Sequence, residues 1–244
     1  METQQINTTI YGRQSVLGHA ASSILDLFYP RVCLACEDRI SIKDHIFCVR
    51  CAYEITPTAH WRENENEFTQ KFIGRLGLLY GASLFKFTPG GRLQHLIHKL
   101  KYESRPEIGV HLGKIAGKQM RSHWTLPDLI IPVPIHPKKL WTRGYNQAER
   151  IAHGIGEILH IPVLDKAIVK RKMTVSQTNL HRMERMKNVA DSFEINTTKS
   201  LKGRHILLVD DVLTTGATLE ACAIPLLAAA DVKLSFFTLA MGQM

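Results

Sequence analysis

The apolar residues of this chain follow two spacings, short continuous runs and repeats of three or four positions. The runs predict a strand or hairpin arm over residues 78–87 and buried strands over 129–134, 206–209 and 232–239. The repeats predict helices over residues 15–28, 93–100, 108–120, 145–159 and 217–230. Strands that alternate with helices predict an α/β fold, in which helices cover both faces of a mostly parallel sheet.

Three segments precede this alternation. Residues 1–30 comprise a polar tail and one amphipathic helix, which carries little basic charge and is expected to pack on the protein rather than on a membrane surface. Residues 31–57 hold four of the five cysteines, and the polar residues 58–71 are predicted to form a linker or an exposed loop. The predicted domains are therefore 1–30, 31–57 and 72–244.

Charge narrows the class of partner. The 244 residues include 31 Lys and Arg against 22 Asp and Glu, a net charge of +9 with His neutral. This balance favours a nucleic acid, an anionic membrane surface or a phosphorylated small molecule. No run approaches the roughly 18 apolar residues of a transmembrane helix, and the first ten residues lack the features of a secretory signal. We therefore expect a cytoplasmic protein whose thiols are reduced or metal-bound.

Four cysteines form two Cys-x-x-Cys pairs: Cys33, Cys36, Cys48 and Cys51. Each pair can place two sulfurs on one tight turn, and two turns present four thiolates in a tetrahedron, which suits a structural zinc ion. Two local disulfides or four unrelated buried thiols are the alternatives, and a reducing compartment disfavours the disulfides. Four protein ligands leave no open coordination position, so the predicted zinc-ribbon-like module is structural.

The segment after the predicted strand 206–209 combines two acids with a threonine-rich loop. Asp210 and Asp211 follow the strand at the edge where open α/β sheets bind their ligands. Carboxylates there can accept hydrogen bonds from a sugar diol, and the N–H groups of the loop and the next helix can bind a phosphate. The loop residues are Thr214, Thr215, Gly216, Ala217 and Thr218.

A strand–turn–helix unit without a ligand is the alternative interpretation of this segment. It does not explain the two adjacent acids, which repel each other unless a partner compensates their charge. No Gly-Lys-Ser/Thr sequence follows the strand, so a Walker-type nucleotide loop is disfavoured. The Gly154-x-Gly156 sequence lies inside a predicted helix and is a weak dinucleotide signal.

Residues 205–219 resemble the phosphoribosyl pyrophosphate (PRPP) motif of type I phosphoribosyltransferases, an apolar strand followed by two acids and Thr-Thr-Gly-x-Thr. The resemblance implies that Asp210 and Asp211 hold the ribose 2′- and 3′-hydroxyls and that residues 214–218 hold the 5′-phosphate. It also implies a type I phosphoribosyltransferase-like domain over 72–244, with Mg²⁺ accompanying bound PRPP.

Further segments resemble the ComF family of competence proteins over roughly residues 20–240. They are the four-cysteine module, Leu100-Lys101-Tyr102, Pro132-Val133-Pro134, Arg143-Gly144-Tyr145-Asn146-Gln147, Arg171 with Thr174 and Gln177, and Arg185 with Asn188-Val189. The resemblance implies a zinc-binding N-terminal module and a phosphoribosyltransferase-type domain. It also implies a role in natural transformation, the uptake of single-stranded DNA.

Two basic segments contain the candidates for contact with pyrophosphate. Lys138, Lys139 and Arg143 follow the predicted strand 129–134, and the resemblance implies that the loop there contacts the pyrophosphate of PRPP. An exposed basic loop is the alternative, and Trp141 and Tyr145 could instead stack on nucleic-acid bases.

The second basic segment would be a loop that closes over bound PRPP. Arg171, Thr174 and Gln177 follow the family pattern there. A solvated helix face is the alternative interpretation, because runs of charge are usually exposed surface.

Two functional hypotheses from different classes follow. We expect a PRPP-binding protein that acts in DNA uptake and contacts single-stranded DNA or a competence helicase. The alternative is an active phosphoribosyltransferase, similar to amidophosphoribosyltransferases, in which an unknown nitrogenous acceptor displaces pyrophosphate. No set of residues identifies a pocket for such an acceptor, so no catalytic residue is assigned.

Overall fold

The computed structural model describes residues 31–40, 46–170, 193–197, 200–229 and 231–242. They form two compact units. The first contains the described residues up to Thr56 together with Thr88–Leu96, and the second contains Pro57–Phe87 and the described residues from Ile97 onward. In this part of the chain, no helix has the length and apolar character that crossing a membrane requires. The helix predicted over residues 15–28 lies outside the described residues.

The elements alternate between helix and strand along much of the chain. The helices are α1 (Val49–Glu54), α2 (Glu67–Gln70), α3 (Arg92–Tyr102), α4 (Pro106–His123), α5 (Pro137–Arg143), α6 (Gln147–Leu159) and α7 (Ala217–Ala229). The strands are β1 (Tyr80–Phe87), β2 (Leu129–Pro132), β3 (Ile168–Lys170), β4 (Phe193–Ile195), β5 (His205–Leu213) and β6 (Lys233–Gly242).

One parallel sheet organises the second unit. Its strands lie in the order β1, β6, β5, β2, and each neighbouring pair is parallel, whereas β3 and β4 form a separate antiparallel pair. Ile206 and Leu208 of β5 belong to a buried cluster with Leu219, Cys222 and Leu226 of α7. Alternate strand residues point to opposite faces, and α6 packs against β2 and β5. The predicted α/β fold with a mostly parallel sheet is confirmed.

Residues 58–71 are not the linker or exposed loop that their polarity predicted. Trp61 and Phe68 are buried, as is the adjacent Phe72. Asn66 caps α2 by accepting a hydrogen bond from the backbone N–H of Phe68 at 2.9 Å. The Phe72 ring packs edge-on against Phe236 of β6, with ring centroids 5.0 Å apart. A few large apolar side chains therefore anchor a segment whose charged residues face solvent.

Glycines allow α4 and α6 to approach closely. A Cβ on Gly113 would lie 2.2 Å from the carbonyl oxygen of Ile151, and a Cβ on Gly154 would lie 2.2 Å from that of Val110. A larger residue at either position would force the helices apart. A Cβ on Gly156 would meet a side chain at 2.8 Å. The Gly-x-Gly sequence therefore serves close packing and is not a dinucleotide fingerprint.

Two elements near the sheet edge differ from the prediction. β5 continues past Val209 to Leu213, because it stays paired with β6 as far as Leu213 and Met241. Residues 137–143, expected to be a loop, form the short helix α5. His136 caps the start of this helix, and Gly144 ends it in the left-handed conformation with φ of 76°.

Candidate functional site

Asp210 and Asp211 lie where one neighbour of β5 leaves the sheet. β2 pairs with β5 only as far as Pro132, which stands opposite Val209, whereas β6 continues alongside β5. The Val133 N–H donates to the Val209 carbonyl at 2.9 Å, and the prolines on either side of Val133 have no N–H to extend the ladder. The two acids therefore stand at the carboxyl edge of the parallel sheet, where open α/β sheets bind ligands.

The carboxyl groups of Asp210 and Asp211 repel each other when both are ionised. The Asp211 backbone N–H donates to Asp210 Oδ1 at 2.8 Å, and Lys101 Nζ lies 2.9 Å from Asp211 Oδ2. Burial, reinforced by the Asp211 carboxylate, raises the pKa of Asp210 to about 7, and the charges of Lys101 and Lys139 act in the opposite direction. Asp210 therefore changes its charge near neutral pH.

Gly216 fixes the conformation of the loop after β5. Its φ of +80° is in the left-handed region, and a Cβ there would lie 2.7 Å from the Phe72 ring. Glycine meets both conditions without strain. The exposed residues of the loop and the start of α7 are Thr214, Thr215, Ala217 and Thr218. The structure thus brings the predicted phosphate-binding residues together at the N-terminus of a helix, beside the acid pair.

Two cations from the segment after α2 hold the carbonyl groups of this loop. Lys71 Nζ donates to the Thr214 carbonyl at 3.1 Å, and the Arg75 guanidinium donates to the Thr215 carbonyl at 3.1 Å. Arg75 also forms an ion pair with Glu220 of α7. The sequence did not predict either contact: Lys71 lies at the end of the segment interpreted as a linker, and Arg75 belongs to no motif. The available signal was a pair of phenylalanines four residues apart, which indicates a buried helical turn.

The helix α5 carries the lysines predicted to contact pyrophosphate. Lys138 and Lys139 are both exposed, and Lys139 lies close enough to Asp210 to lower the pKa of that carboxyl group. Trp141 on the same helix is 89% exposed. The charge of Lys139 therefore acts on the acid pair. Lys138 and Trp141 contribute to an exposed surface of α5.

Arg143 is held by its neighbours. It donates to Gln147 Oε1 at 3.0 Å and to the Tyr102 hydroxyl at 3.4 Å, and its guanidinium lies 5.1 Å from the centroid of the Tyr102 ring. The Tyr145 hydroxyl donates to the Leu100 carbonyl. These contacts pack two segments that are far apart in the sequence, residues 100–102 and residues 143–147, against each other. The first segment contains Lys101.

The remaining predicted site residues, Arg171, Thr174 and Gln177, lie outside the described residues. Lys170 and Phe193, which flank the undescribed segment in the sequence, are paired in β3 and β4.

The first unit contains a compact cluster of four thiols: Cys33, Cys36, Cys48 and Cys51. Their sulfur atoms lie within 4.8 Å of one another. The first pair is on a tight turn in which the Cys33 N–H donates to the Asp38 carbonyl at 2.9 Å. In the second pair, Cys48 caps α1. Burial raises the pKa of the Cys36 thiol to about 11. None of the four forms a disulfide in this structure, and their spacing could accommodate a metal ion.

Comparisons with known proteins identify relatives of this chain. Residues 101–241 match the family described as the phosphoribosyl transferase domain. Competence protein F of Haemophilus influenzae is 33% identical over an alignment of 205 residues, and the alignment covers 79% of this chain and 89% of that protein. DNA utilization protein YhgH of Shigella flexneri is 32% identical over an alignment of 136 residues, and the alignment covers 54% of this chain and 59% of that protein. The match thus spans about three fifths of the length of such DNA utilization proteins.

Among solved structures, one titled as the allosteric regulatory enzyme of purine biosynthesis aligns with 57% of this chain and 29% of its own length. The identity is 17% and the TM-score is 0.38.

The family match, together with the parallel strand order, assigns the second unit to the type I phosphoribosyltransferase class of domains. The four-thiol cluster lies before the matched residues, and the similarity to competence protein F extends over most of both chains. This chain belongs to the ComF family of competence proteins.

We expect Asp210→Asn to stabilise the protein at neutral and alkaline pH. An aspartate whose pKa is raised from 3.8 to about 7 costs folding free energy above the lower value, and the cost grows until the higher value is reached. In thermal unfolding monitored by circular dichroism, the variant should melt several degrees above the wild type at about pH 8. The difference should vanish near about pH 4.

Asp231→Asn, at an exposed position of the same unit, is the matched control and should show no such pH-dependent gain. An Asp210→Asn variant that melts at or below the wild-type temperature at alkaline pH would contradict this electrostatic description of the pair.

Proposed function

We propose that this protein binds PRPP together with Mg²⁺ and uses this binding in the uptake of DNA, during which it contacts single-stranded DNA. The proposal rests on one observation: Asp210 and Asp211 lie beside the loop that contains Gly216 and leads into α7. A sugar diol and a terminal phosphate on one molecule match the two halves of this site.

The chemistry of the site favours PRPP over a simple phosphorylated sugar. The carboxylates of Asp210 and Asp211 accept hydrogen bonds from the 2′- and 3′-hydroxyls, and the backbone N–H groups of residues 214–218 bind the 5′-phosphate. Lys139, whose charge reaches Asp210, supplies positive charge for a pyrophosphate at C1. Bound Mg²⁺ neutralises part of the charge of that pyrophosphate.

The thiol cluster favours zinc. Four sulfurs at about 2.3 Å from a central ion in a tetrahedron lie about 3.8 Å apart, and the sulfurs here all lie within 4.8 Å of one another. Thiolates in this cluster repel one another and are penalised by burial, so a cation is needed to keep all four deprotonated. Because four sulfurs fill the coordination shell, the zinc has a structural role.

The role in DNA uptake rests on the relatives and on charge. The relatives are named a competence protein and a DNA utilization protein, and the chain carries a net charge of +9. The exposed face of α5 combines Lys138 with Trp141, a cation and an aromatic ring of the kinds that bind phosphates and stack on bases of single strands.

Calorimetric titration of the full chain with Mg²⁺ and PRPP should show saturable binding. The double change Asp210→Asn, Asp211→Asn should weaken it by at least about tenfold, since a hydrogen bond to a charged group contributes ~1.5–3 kcal/mol. Wild-type affinity should also fall below about pH 7, because Asp210 then becomes protonated and loses an acceptor. Asp231→Asn should bind like the wild type.

Unchanged affinity in the double variant would refute the assignment of the acid pair. Sustained release of pyrophosphate from PRPP in the presence of nucleobases or amines would replace the binding role by the alternative, an active phosphoribosyltransferase.

Protein purified without chelators should contain one zinc ion per chain by elemental analysis. Cys36→Ser should lower this content, because it removes one of four ligands. Cys222→Ala changes the remaining cysteine, which is buried in the second unit, and should leave the zinc content unchanged. Metal-free protein with intact disulfides among the four N-terminal cysteines would exclude the zinc site.

Binding to a fluorescent single-stranded oligonucleotide should weaken steeply as salt concentration rises. Lys138→Glu should reduce the affinity. It should also make the slope of log affinity against log salt concentration less steep by at least about 0.7, the value for one lost phosphate contact with a single strand. Lys118→Glu makes the same charge change at an exposed position of α4. If the two variants lose equal affinity, net charge alone drives binding and α5 is not the contact surface.

A further inference from the structure

Lys101 contacts the acid pair from outside the PRPP motif of residues 205–219. Its ammonium group lies 2.9 Å from Asp211 Oδ2, and the two side chains are only 21% and 15% exposed. The end of α3 that carries it is anchored, because the Tyr145 hydroxyl donates to the carbonyl group of the buried Leu100. This hydrogen bond positions the backbone at the end of α3, whereas the four-carbon stem of the lysine side chain is flexible.

The ion pair between Lys101 and Asp211 occupies a carboxylate oxygen that a sugar hydroxyl could use as an acceptor. Asp211 Oδ2 is engaged by Lys101, and Asp210 Oδ1 accepts the Asp211 backbone N–H at 2.8 Å. A ribose diol needs carboxylate oxygens as acceptors. A sugar hydroxyl that binds Asp211 Oδ2 must share or displace the contact of that oxygen with Lys101. A displaced ammonium in a largely buried place is costly unless it meets another anion.

We propose that Lys101 is an exchangeable counter-ion, which leaves Asp211 when a ribose binds and moves to the anionic group at C1 of that ribose. The inference rests on the proposed binding of PRPP. Lys101 then determines specificity: it disfavours ribose 5-phosphate, which offers no new partner, and favours PRPP, whose pyrophosphate offers one.

The test is the change in affinity of Lys101→Met for two ligands, measured by calorimetry with the full chain. Affinity for Mg²⁺ and PRPP should fall by about tenfold, the effect of losing one charge-assisted hydrogen bond. Affinity for ribose 5-phosphate should rise, because the competing ammonium is gone. Lys101→Arg keeps the charge and should retain the wild-type order of affinities, and Lys118→Met, at an exposed site on α4, should change neither ligand.

A loss of affinity for both ligands by the same factor would show that Lys101 only supports the structure, and a gain for both would show that it only competes. Either result overturns the inference while PRPP binding by the wild type still stands. A wild type that binds neither ligand would instead overturn the proposed function itself, and the inference with it.

Discussion

Two adjacent carboxylates at the end of a buried strand repel each other, and this repulsion organises the surrounding side chains. Burial and the neighbouring Asp211 raise the pKa of Asp210 to about 7. The opposing charges come from Lys101, on α3, and Lys139, on α5. These helices lie before and after β2 in the sequence, and β2 ends just where the acids begin. The departure of one strand therefore makes room for the acids and for the cations that face them.

The loop of residues 214–216 after β5 depends on a different set of contacts. Gly216 adopts a left-handed conformation next to the ring of Phe72. Lys71 donates to the Thr214 carbonyl, and Arg75 donates to the Thr215 carbonyl. These supports precede the residues 101–241 that match the domain family. The residues that match the domain family therefore include the loop. The side chains that support its conformation belong to residues 71–75, outside that match.

The sequence predicted the features whose signals are local. The strand and the two acids, the threonine-glycine loop and the two Cys-x-x-Cys pairs each occupy one short segment, and periodicity and spacing were sufficient to find them. Contacts between distant segments were not predictable in this way. Lys101 meets Asp211 across the site, and Phe72 meets Gly216 through tertiary packing. The polarity of residues 58–71 concealed Trp61, because a few buried aromatic side chains outweigh many solvated charges.

We expect one site to bind both the sugar and the phosphate of PRPP. A crystal structure of the full chain with Mg²⁺ and PRPP tests it most directly. The account predicts the ribose hydroxyls on the carboxylates of Asp210 and Asp211, and the 5′-phosphate on the backbone N–H groups of residues 214–218. A PRPP molecule bound elsewhere, with this site empty, would contradict the account.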